Sequence, residues 1–264
     1  MMANQREEEI KLNVSYSGLA AELYDLWWGS EPLEDDAFYR RMLKQCPGPA
    51  LEVGCGTGRL LIPYLRDGFE VEGVDCSNEM LSLCRQKAER FGLTPLLYEQ
   101  FMQKLDLPRH YRTIYIPFGS FQLLSSREDA LEALERFFTH LEPSGQLLIS
   151  SFVPWDELAA ANQGQWKIRR TATRPADGAT VLCLGTTTLD RVEQVQTHWN
   201  RYEIYKQGRL VETEIKMSQL RWYFKYELIL MLEKVGFRDI LTHGDYTKVE
   251  AQSQHSTLIF NAKK

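Results

Sequence analysis

Apolar and polar residues follow two different patterns along the chain. Between residues 50 and 152, short apolar runs alternate with stretches in which apolar residues recur at helical spacing. Between residues 165 and 222, threonine and aromatic residues alternate with polar ones. The first pattern predicts strands and helices in turn, which is typical of a parallel sheet with covered faces. The second pattern predicts a set of antiparallel strands.

The first pattern predicts five strands, at residues 50–53, 70–74, 95–99, 113–116 and 145–152. Helices are expected between them, at residues 59–66, 77–91 and 126–141, the last beginning at Ser126 or its neighbour Ser125. Two helices are expected before the first strand, at residues 17–28 and 33–46, after a frayed tail or weak helix at residues 1–12. The sheet therefore begins about fifty residues into the chain.

The second pattern predicts four strands, at residues 166–173, 180–189, 197–206 and 210–220. A helix is expected at residues 226–235, followed by two strands at residues 237–242 and 256–262 that pair as a hairpin. The antiparallel region is thus an insertion after the fifth strand of the parallel sheet.

Composition narrows the possible partners. The chain has 264 residues, 44% hydrophobic and 25% charged, and a net charge of −5. An acidic chain gains little from binding phosphate backbones, so nucleic acid is an unlikely partner. The five cysteines form no C-x-x-C pair, and neither a zinc site nor a disulfide framework is predicted. The polar N-terminus and the lack of a long apolar run predict no signal peptide and no membrane span, hence a cytoplasmic protein.

The most informative segment is a glycine-rich turn between the first strand and the following helix. Gly54, Gly56 and Gly58 alternate with other residues, and Glu52 precedes the first of them by two positions. Glycine lets the backbone turn sharply and approach a ligand, and the helix that follows offers free N–H groups. A tight turn that packing alone requires would give the same pattern.

A carboxylate at the end of the second strand adds a second signal. Asp75 lies seventeen positions after Gly58 in the sequence, where an acid accepts hydrogen bonds from a ribose diol. Asp75 could instead cap the next helix, but Ser77 is available for that role. The glycine turn and the Asp75 carboxylate together indicate an adenosine-containing cofactor.

The E-x-G-x-G-x-G form of the turn resembles the first motif of class I S-adenosylmethionine (SAM)-dependent methyltransferases. The dinucleotide fingerprint requires glycine where this chain has Arg59. The resemblance implies that SAM is the cofactor, with its methionine part against the three glycines, Glu52 ordering the turn and Asp75 on the ribose. It also implies a Rossmann-like, mostly parallel seven-stranded sheet with helices on both faces and an antiparallel final strand, plus the antiparallel β insertion after strand 5.

The resemblance covers the chain from about Tyr16 onward, with its sharp motifs in residues 50–150. It implies a helical lid at residues 1–46, a SAM-binding core at 47–163, a β cap at 164–222, and a helix and strands completing the core at 223–264. The other cofactor-binding residues that it implies are Cys55, Arg59, Cys76, Met80, Gln100, Phe101, Met102 and Pro117. One departure affects adenine binding, because Phe101 occupies the position of the family's usual acid. Gln100, the Met102 backbone or stacking by Phe101 would replace that contact.

The methyl acceptor is predicted less sharply. Pro117 and Phe118 keep part of a motif found in enzymes that methylate base and amide nitrogens, but its polar residue is missing, which argues against nucleobase methylation. The N-terminal aromatic cluster is similar to lid helices in which a tyrosine approaches the cofactor, although core packing would also explain it. Candidate catalytic residues are Tyr16, Tyr24 and, as a general base, His198. Candidate substrate-binding residues are Trp28, Phe118, Phe121, Trp155, Arg221 and Tyr223, where Arg221 would bind an anionic group or pair with a nearby glutamate.

The sequence therefore predicts a SAM-dependent methyltransferase that transfers a methyl group to an amine or hydroxyl of a small molecule by in-line displacement. Three alternatives stay open at this point. A SAM-binding module without catalysis would lack a general base. A nicotinamide dehydrogenase would need glycine at position 59. An RNA or protein methyltransferase would need an open entrance to the active site with less negative charge around it.

Overall fold

The chain forms two compact units. A computed structural model describes residues 16–29, 34–159 and 164–264. Unit 1 comprises Met1–Glu31 and Pro154–Arg221, and unit 2 comprises Pro32–Val153 and Trp222–Lys264. The predicted tail at residues 1–12 lies outside the described residues. The division into lid, core, cap and C-terminal elements stays a prediction beside these units.

The helices and strands are numbered here in chain order over the described residues. The α-helices are α1 (Leu19–Glu22), α2 (Tyr24–Trp28), α3 (Glu34–Gln45), α4 (Leu61–Arg66), α5 (Asn78–Glu89), α6 (Arg127–His140), α7 (Trp155–Ala159) and α8 (Lys225–Val235). The strands are β1 (Ala50–Val53), β2 (Val71–Asp75), β3 (Leu97–Glu99), β4 (Tyr111–Ile116), β5 (Leu141–Phe152), β6 (Lys167–Thr173), β7 (Thr180–Asp190), β8 (Val195–Lys206), β9 (Arg209–Arg221), β10 (Arg238–Gly244) and β11 (Thr257–Lys263). Short 3₁₀ turns follow β3 and β4, at Met102–Lys104 and Ser120–Leu123.

Unit 2 contains a seven-stranded sheet in the order β10-β11-β5-β4-β1-β2-β3. β1 pairs in parallel with β2 and β4, and the β2–β3 and β4–β5 pairs are also parallel. β11 runs antiparallel to both β5 and β10. The predicted fold class is confirmed, including the C-terminal hairpin and the antiparallel final strand.

The central strands of unit 2 are buried on both faces because helices cover both. Every residue of β1 is buried, and Ile114, Tyr115 and Ile116 of β4 are buried as well. One cluster joins Ile114 to Phe137 and Leu232, from α6 and α8, and a second joins Tyr115 to residues of α3 and α4. The strands β4, β1, β2 and β3 are neighbours in the sheet and run parallel. Their carboxyl ends therefore lie along one edge of the sheet, which is where ligands bind in open α/β folds.

Unit 1 contains a four-stranded antiparallel sheet in the order β6-β7-β8-β9. Leu19 and Leu23 pack with Val181 of β7 and Ile204 of β8 in a small apolar cluster. The helix predicted at residues 17–28 is two short helices that meet at Leu23, where φ is −90° and ψ is −1°.

Helix ends agree with capping chemistry. Ser77 caps α5 by accepting a hydrogen bond from the Met80 N–H at 3.2 Å. Ser126, one of the two serines proposed, caps α6 by accepting from the Asp129 N–H at 3.4 Å. Gly236, in the left-handed region at φ 115°, ends α8.

Candidate functional site

The glycine turn at the end of β1 is left-handed at each of its glycines. Gly54, Gly56 and Gly58 have φ of 72°, 53° and 78°, a region that other residues rarely adopt. A Cβ on Gly54 would lie 2.9 Å from Ser120, and one on Gly58 would lie 2.6 Å from the Cys84 sulfur. Bare backbone is therefore required at Gly54 and Gly58 by conformation and by packing.

Asp75 connects this turn to the second strand. One carboxylate oxygen accepts from the Gly56 N–H at 2.9 Å and the other from the Ser77 N–H at 2.9 Å. The side chain is partly buried, and burial raises its pKa while these N–H groups lower it. Each oxygen keeps a second lone pair, so a ribose diol could still be accepted. Asp75 thus both orders the turn and offers the predicted ribose contact.

Glu52 lies below the turn with 2% of its surface exposed. Its carboxylate accepts a hydrogen bond from the Tyr115 hydroxyl at 2.9 Å. Burial raises the pKa of Glu52 to about 8, against the smaller lowering effects of Tyr115 and Arg59. The role that the sequence predicts for Glu52, ordering the turn, has a physical basis in this buried bond to the neighbouring strand β4.

Arg59 makes a bidentate ion pair with Asp35 of α3, at 2.8 and 2.6 Å. Asp35 is 1% exposed, and the guanidinium carbon of Arg59 also lies 5.3 Å from the centre of the Phe118 ring. The pair joins the glycine turn to α3, and the ring contact joins it to the loop after β4. Arg59 therefore links three segments around the carboxyl edge, whereas the sequence predicts a direct cofactor contact, which stays a prediction.

The residues proposed around adenine lie after β2 and β3. Met80 is buried beside Gly56, and Cys76 is partly buried, which raises the pKa of its thiol to about 12. Gln100 bonds to the Asp106 backbone through both ends of its amide, at 2.8 and 3.1 Å. Adenine would have to compete for that amide.

The other two adenine candidates begin the 3₁₀ turn after β3. Phe101 precedes the turn and Met102 opens it, and both side chains are partly buried. Met102 packs against the larger apolar cluster of unit 2. The partly exposed Phe101 ring is compatible with the predicted stacking, and the Met102 backbone contact stays a prediction.

The loop after β4 is held in an unusual conformation. Phe118 has φ 56°, and the N–H of the next residue, Gly119, donates to the Ser150 hydroxyl at 3.0 Å. Pro117 is buried, and its carbonyl accepts from the Ser120 hydroxyl at 2.9 Å. Phe118 is 40% exposed, so the substrate role predicted for it has an accessible ring to support it.

Two predicted substrate residues are instead core residues. Phe121 and Tyr223 are both fully buried, and their ring centres lie 5.6 Å apart. Phe121 lies within the 3₁₀ turn after β4 and Tyr223 precedes α8, so the two rings pack between these segments. Both rings therefore have a packing role, and their predicted substrate contacts stay predictions.

The three predicted aromatic residues of the N-terminal cluster lie in unit 1. Tyr16 is 39% exposed, and its ring meets that of Tyr24 edge to face at 5.6 Å. The Arg170 guanidinium stacks over the Trp28 ring at 3.7 Å. Both contacts lie within unit 1, and the catalytic and substrate roles of Tyr16, Tyr24 and Trp28 stay predictions.

His198 lies in β8 and is partly buried, which lowers its pKa to about 4. Its Nδ1 atom lies 2.9 Å from the Thr187 hydroxyl. The imidazole is therefore neutral at physiological pH, as a general base must be, but a pKa of about 4 makes it a poor proton acceptor.

Arg221 and Trp155 complete the predicted set. Arg221 is 7% exposed and donates to the Glu193 carbonyl, with the Glu193 carboxylate at 3.8 Å. Of the two interpretations that the sequence left open, the structure has the glutamate partner and not an exposed anion site. Trp155 begins α7 and is 54% exposed, so it is accessible for the predicted contact.

Sequence reasoning missed three residues that hold the glycine turn. Asp35 pairs with Arg59, Ser120 touches Gly54, and Lys87 donates to the buried Thr57 hydroxyl at 3.3 Å. Arg59 offered a signal, because an arginine inside a buried turn requires an acidic partner. The sequence gave no signal for which of the neighbouring acids would supply it.

Comparison with known proteins agrees with this geometry. A family model described as a methyltransferase domain matches residues 50–145. The putative methyltransferase YqeM of Bacillus subtilis (strain 168) is 29% identical over 94% of this chain and 97% of its own. The dTDP-3-amino-3,6-dideoxy-alpha-D-glucopyranose N,N-dimethyltransferase of Streptomyces fradiae is 31% identical over 53% of this chain, which spans about half (54%) of that protein. The CcbJ methyltransferase structure from Streptomyces caelestis matches with a TM-score of 0.77 at 22% identity, over 95% of this chain and 98% of that one.

Proposed function

We propose that this chain, a class I SAM-dependent methyltransferase, methylates an amine nitrogen of a small molecule. The family and the SAM cofactor follow from the fold, the family match and the relatives. The acceptor atom is the proposal. The observation that carries it is the similarity to the N,N-dimethyltransferase of Streptomyces fradiae, whose name describes methylation of an amino group on a sugar nucleotide.

The residues of unit 2 fit SAM. The backbone of Gly54, Gly56 and Gly58 is bare at the carboxyl edge of β1, and Asp75 keeps acceptor capacity next to it. These groups would hold the methionine and ribose parts, respectively. When bound, SAM supplies a methyl group on a positively charged sulfur. The protein's task is then to hold an acceptor in line and to exclude water.

An amine acceptor needs less help than a hydroxyl acceptor. A neutral amine already has a free electron pair, whereas a hydroxyl must lose a proton to a base during the reaction. A base is most effective when its pKa is close to the working pH, and the pKa of His198 is about 4. This mismatch favours an acceptor that arrives as a neutral amine.

The relative from Streptomyces fradiae supports the same choice. Its name describes methylation of an amino group on a sugar nucleotide, and it is 31% identical over 148 residues. No described helix is long and apolar enough to cross a membrane. The name of the relative supports a small-molecule amine as the acceptor.

The test compares acceptors that differ in one atom. The protein is incubated with SAM and either an amino sugar or the same sugar with a hydroxyl in place of the amine, and products are followed by mass spectrometry. Methylation of the amine alone is expected, with a rate that rises as pH increases through the pKa of the acceptor amine itself. Methylation of the hydroxyl compound at a comparable rate would contradict the proposal.

A binding experiment separates the cofactor from the acceptor. Calorimetric titration with SAM, S-adenosylhomocysteine and NADH should give binding for the first two only. An Asp75→Asn protein, which keeps the size of the side chain, tests the ribose contact, and it should bind SAM more weakly than wild type. SAM binding without turnover of any amine would retain the cofactor assignment and reject the acceptor.

A further inference from the structure

The loop after β4 begins with a turn whose two central residues are left-handed. The Ser120 N–H donates to the Pro117 carbonyl at 3.1 Å and closes the turn. Between them, Phe118 and Gly119 have φ of 56° and 73°, as in a type I′ turn. Asparagine, aspartate and glycine are the residues preferred at the first central position, because a bulky side chain makes this conformation costly. Phe118 therefore needs contacts from outside the turn to hold it there.

Gln122 fastens this loop to the end of β5. The backbone pairing of β4 with β5 reaches Ile116 and Ile149, whereas β5 continues to Phe152. The Gln122 side-chain oxygen accepts from the Phe152 N–H at 2.9 Å, and its NH2 group donates to the Phe152 carbonyl at 2.9 Å. A neighbouring strand would make the same kind of bonds with its backbone. The Gln122 amide thus continues the contact between loop and strand after the backbone pairing ends.

Ser150 holds the middle of the turn against the same strand. Its hydroxyl accepts a hydrogen bond from the Gly119 N–H at 3.0 Å. A Cβ built on Gly119 would lie 3.0 Å from the Phe152 ring and 3.1 Å from the Gln122 side-chain oxygen, so glycine allows this close approach. Both Ser150 and Gln122 are fully buried, so water does not compete for their bonds. The turn is therefore attached to β5 at two buried points.

The turn also touches the candidate cofactor site. A Cβ built on Gly54 would lie 2.9 Å from the Ser120 side chain, and the Arg59 guanidinium carbon lies 5.3 Å from the centre of the Phe118 ring. Phe118 is nevertheless 40% exposed. The turn thus lies between the glycine turn and β5, and the exposed part of the Phe118 ring lies at the carboxyl edge of the sheet.

We propose that Gln122 and Ser150 are positioning residues that hold Phe118 in its left-handed conformation, so that the Phe118 ring contacts the methyl acceptor. The chain keeps phenylalanine where asparagine or glycine would be less strained, and strain of this kind persists where function requires it. The apolar face of the ring suits the carbon skeleton beside the amine of the acceptor. The acceptor contact rests on the proposed function, whereas the attachment of the turn to β5 does not.

The attachment of the turn is measured by hydrogen exchange of the full chain, without any substrate. Gln122→Met keeps the length of the side chain and loses both bonds to Phe152. The Gly119 N–H donates to Ser150 and not to Gln122, so its exchange reports on the turn as a whole.

The reference amide is that of Leu51, in the buried strand β1. In Gln122→Met the exchange of the Gly119 N–H should become about tenfold or more faster relative to that of the Leu51 N–H, because the turn opens locally. An equal change at both amides would overturn the proposal, because global unfolding alone would then explain it.

Gln146→Met is the matched control. Gln146 is buried at 2% exposure in the same strand, β5. Its side chain donates to the Thr113 hydroxyl at 3.1 Å and accepts from Lys263 at 3.0 Å, so this substitution also removes buried side-chain bonds. The Gly119 and Leu51 amides should change by the same factor in this variant. Selective acceleration at Gly119 would overturn the assignment of the turn to Gln122.

A double-mutant cycle links the turn to the acceptor. Phe118→Asn removes the ring and keeps the turn, because asparagine readily adopts this conformation. With saturating SAM and the amine acceptor, Phe118→Asn and Gln122→Met should each raise KM by about threefold to tenfold. In the Phe118→Asn background, Gln122→Met should change KM by less than about twofold, because the ring through which it acts is gone. An unchanged KM in Gln122→Met alone, or full multiplication of the two effects, would overturn the proposal.

Ser150→Ala tests the same proposal if Gln122→Met does not fold. It removes the acceptor of the Gly119 N–H and should raise KM in the same way, again only when the Phe118 ring is present. Ser151→Ala is its control, because Ser151 is the next residue of β5, is 2% exposed and faces the other side of the sheet. A similar rise in KM in both serine variants would overturn the proposal. If no amine is methylated at all, the acceptor contact fails, while the exchange rates still decide whether β5 holds the turn.

Discussion

Glu52 is a carboxyl group inside the core of unit 2, and this makes its ionisation measurable as stability. It is 2% exposed, and the Tyr115 hydroxyl donates to it at 2.9 Å. Burial raises its pKa from 4.5 to about 8. We predict that Glu52→Gln removes a pH-dependent loss of stability, because the neutral amide has nearly the same shape and does not titrate.

The sign and size follow from the two pKa values. The folded protein binds the Glu52 proton more tightly than the unfolded chain does, so this group's favourable contribution is fully present below about pH 4.5 and is lost as pH rises through about 8. At ~1.4 kcal/mol per pH unit, the loss between about pH 5 and about pH 9 is about 4 kcal/mol. Glutamine does not titrate, so the free energy of unfolding of Glu52→Gln should not show this pH-dependent loss.

Urea denaturation followed by tryptophan fluorescence over this pH range measures the difference. The difference in free energy of unfolding between Glu52→Gln and wild type should change by about 4 kcal/mol from the acidic to the alkaline end of this range. The variant becomes the more stable protein, relative to wild type, as pH rises. Tyr115→Phe keeps the carboxyl group, removes its donor, and should extend the loss to higher pH. Glu89→Gln, at an exposed position, should follow wild type. A stability difference that is independent of pH would refute the reasoning, because Glu52 would then be ionised throughout.

Three further predictions concern the glycine turn. Asp75→Asn should weaken SAM binding by about tenfold to a hundredfold in calorimetry, since one charged acceptor is lost, and unchanged affinity would remove the ribose role. Gly58→Ala should lower the free energy of unfolding by about 2–4 kcal/mol, from φ strain plus a Cβ 2.6 Å from sulfur. Gly68→Ala, also at positive φ but with open space around it, should show the φ cost alone. Removing Arg59 should cost about 3–5 kcal/mol by leaving Asp35 buried and unpaired, and a double Arg59→Met and Asp35→Leu protein should recover much of it in thermal denaturation.

The architecture was predictable because each element carries its own local signal. Burial on both faces makes β1 apolar except at Glu52, and alternation marks β7 and β8 as strands with two different faces. The hairpin at the C-terminus was visible as two short apolar runs near Phe237 and Phe260. The break at Leu23 was not visible, because neither glycine nor proline marks it in the sequence.

The site was predictable only where backbone conformation determines the residue type. Gly54, Gly56 and Gly58 could be recognised from the sequence, because glycine is the residue type that readily adopts the positive φ that the turn requires. Phe121 and Tyr223 carry no such mark, because an aromatic ring is equally suited to a pocket and to a core, and only tertiary contacts distinguish the two.

The dual role of the turn determines which experiment identifies the cofactor site. Gly54 and Gly58 lack side chains partly because Ser120 and Cys84 occupy the space beside them. A substitution there lowers stability whether or not a ligand binds, so loss of SAM binding in such a variant would not separate the two causes. Asp75→Asn shares this ambiguity in part, because the amide keeps one of the two backbone bonds and turns its NH2 towards the other N–H. Weakened SAM binding of Asp75→Asn therefore assigns the site only when its free energy of unfolding without ligand matches that of wild type, and no substitution in the turn assigns it on affinity alone.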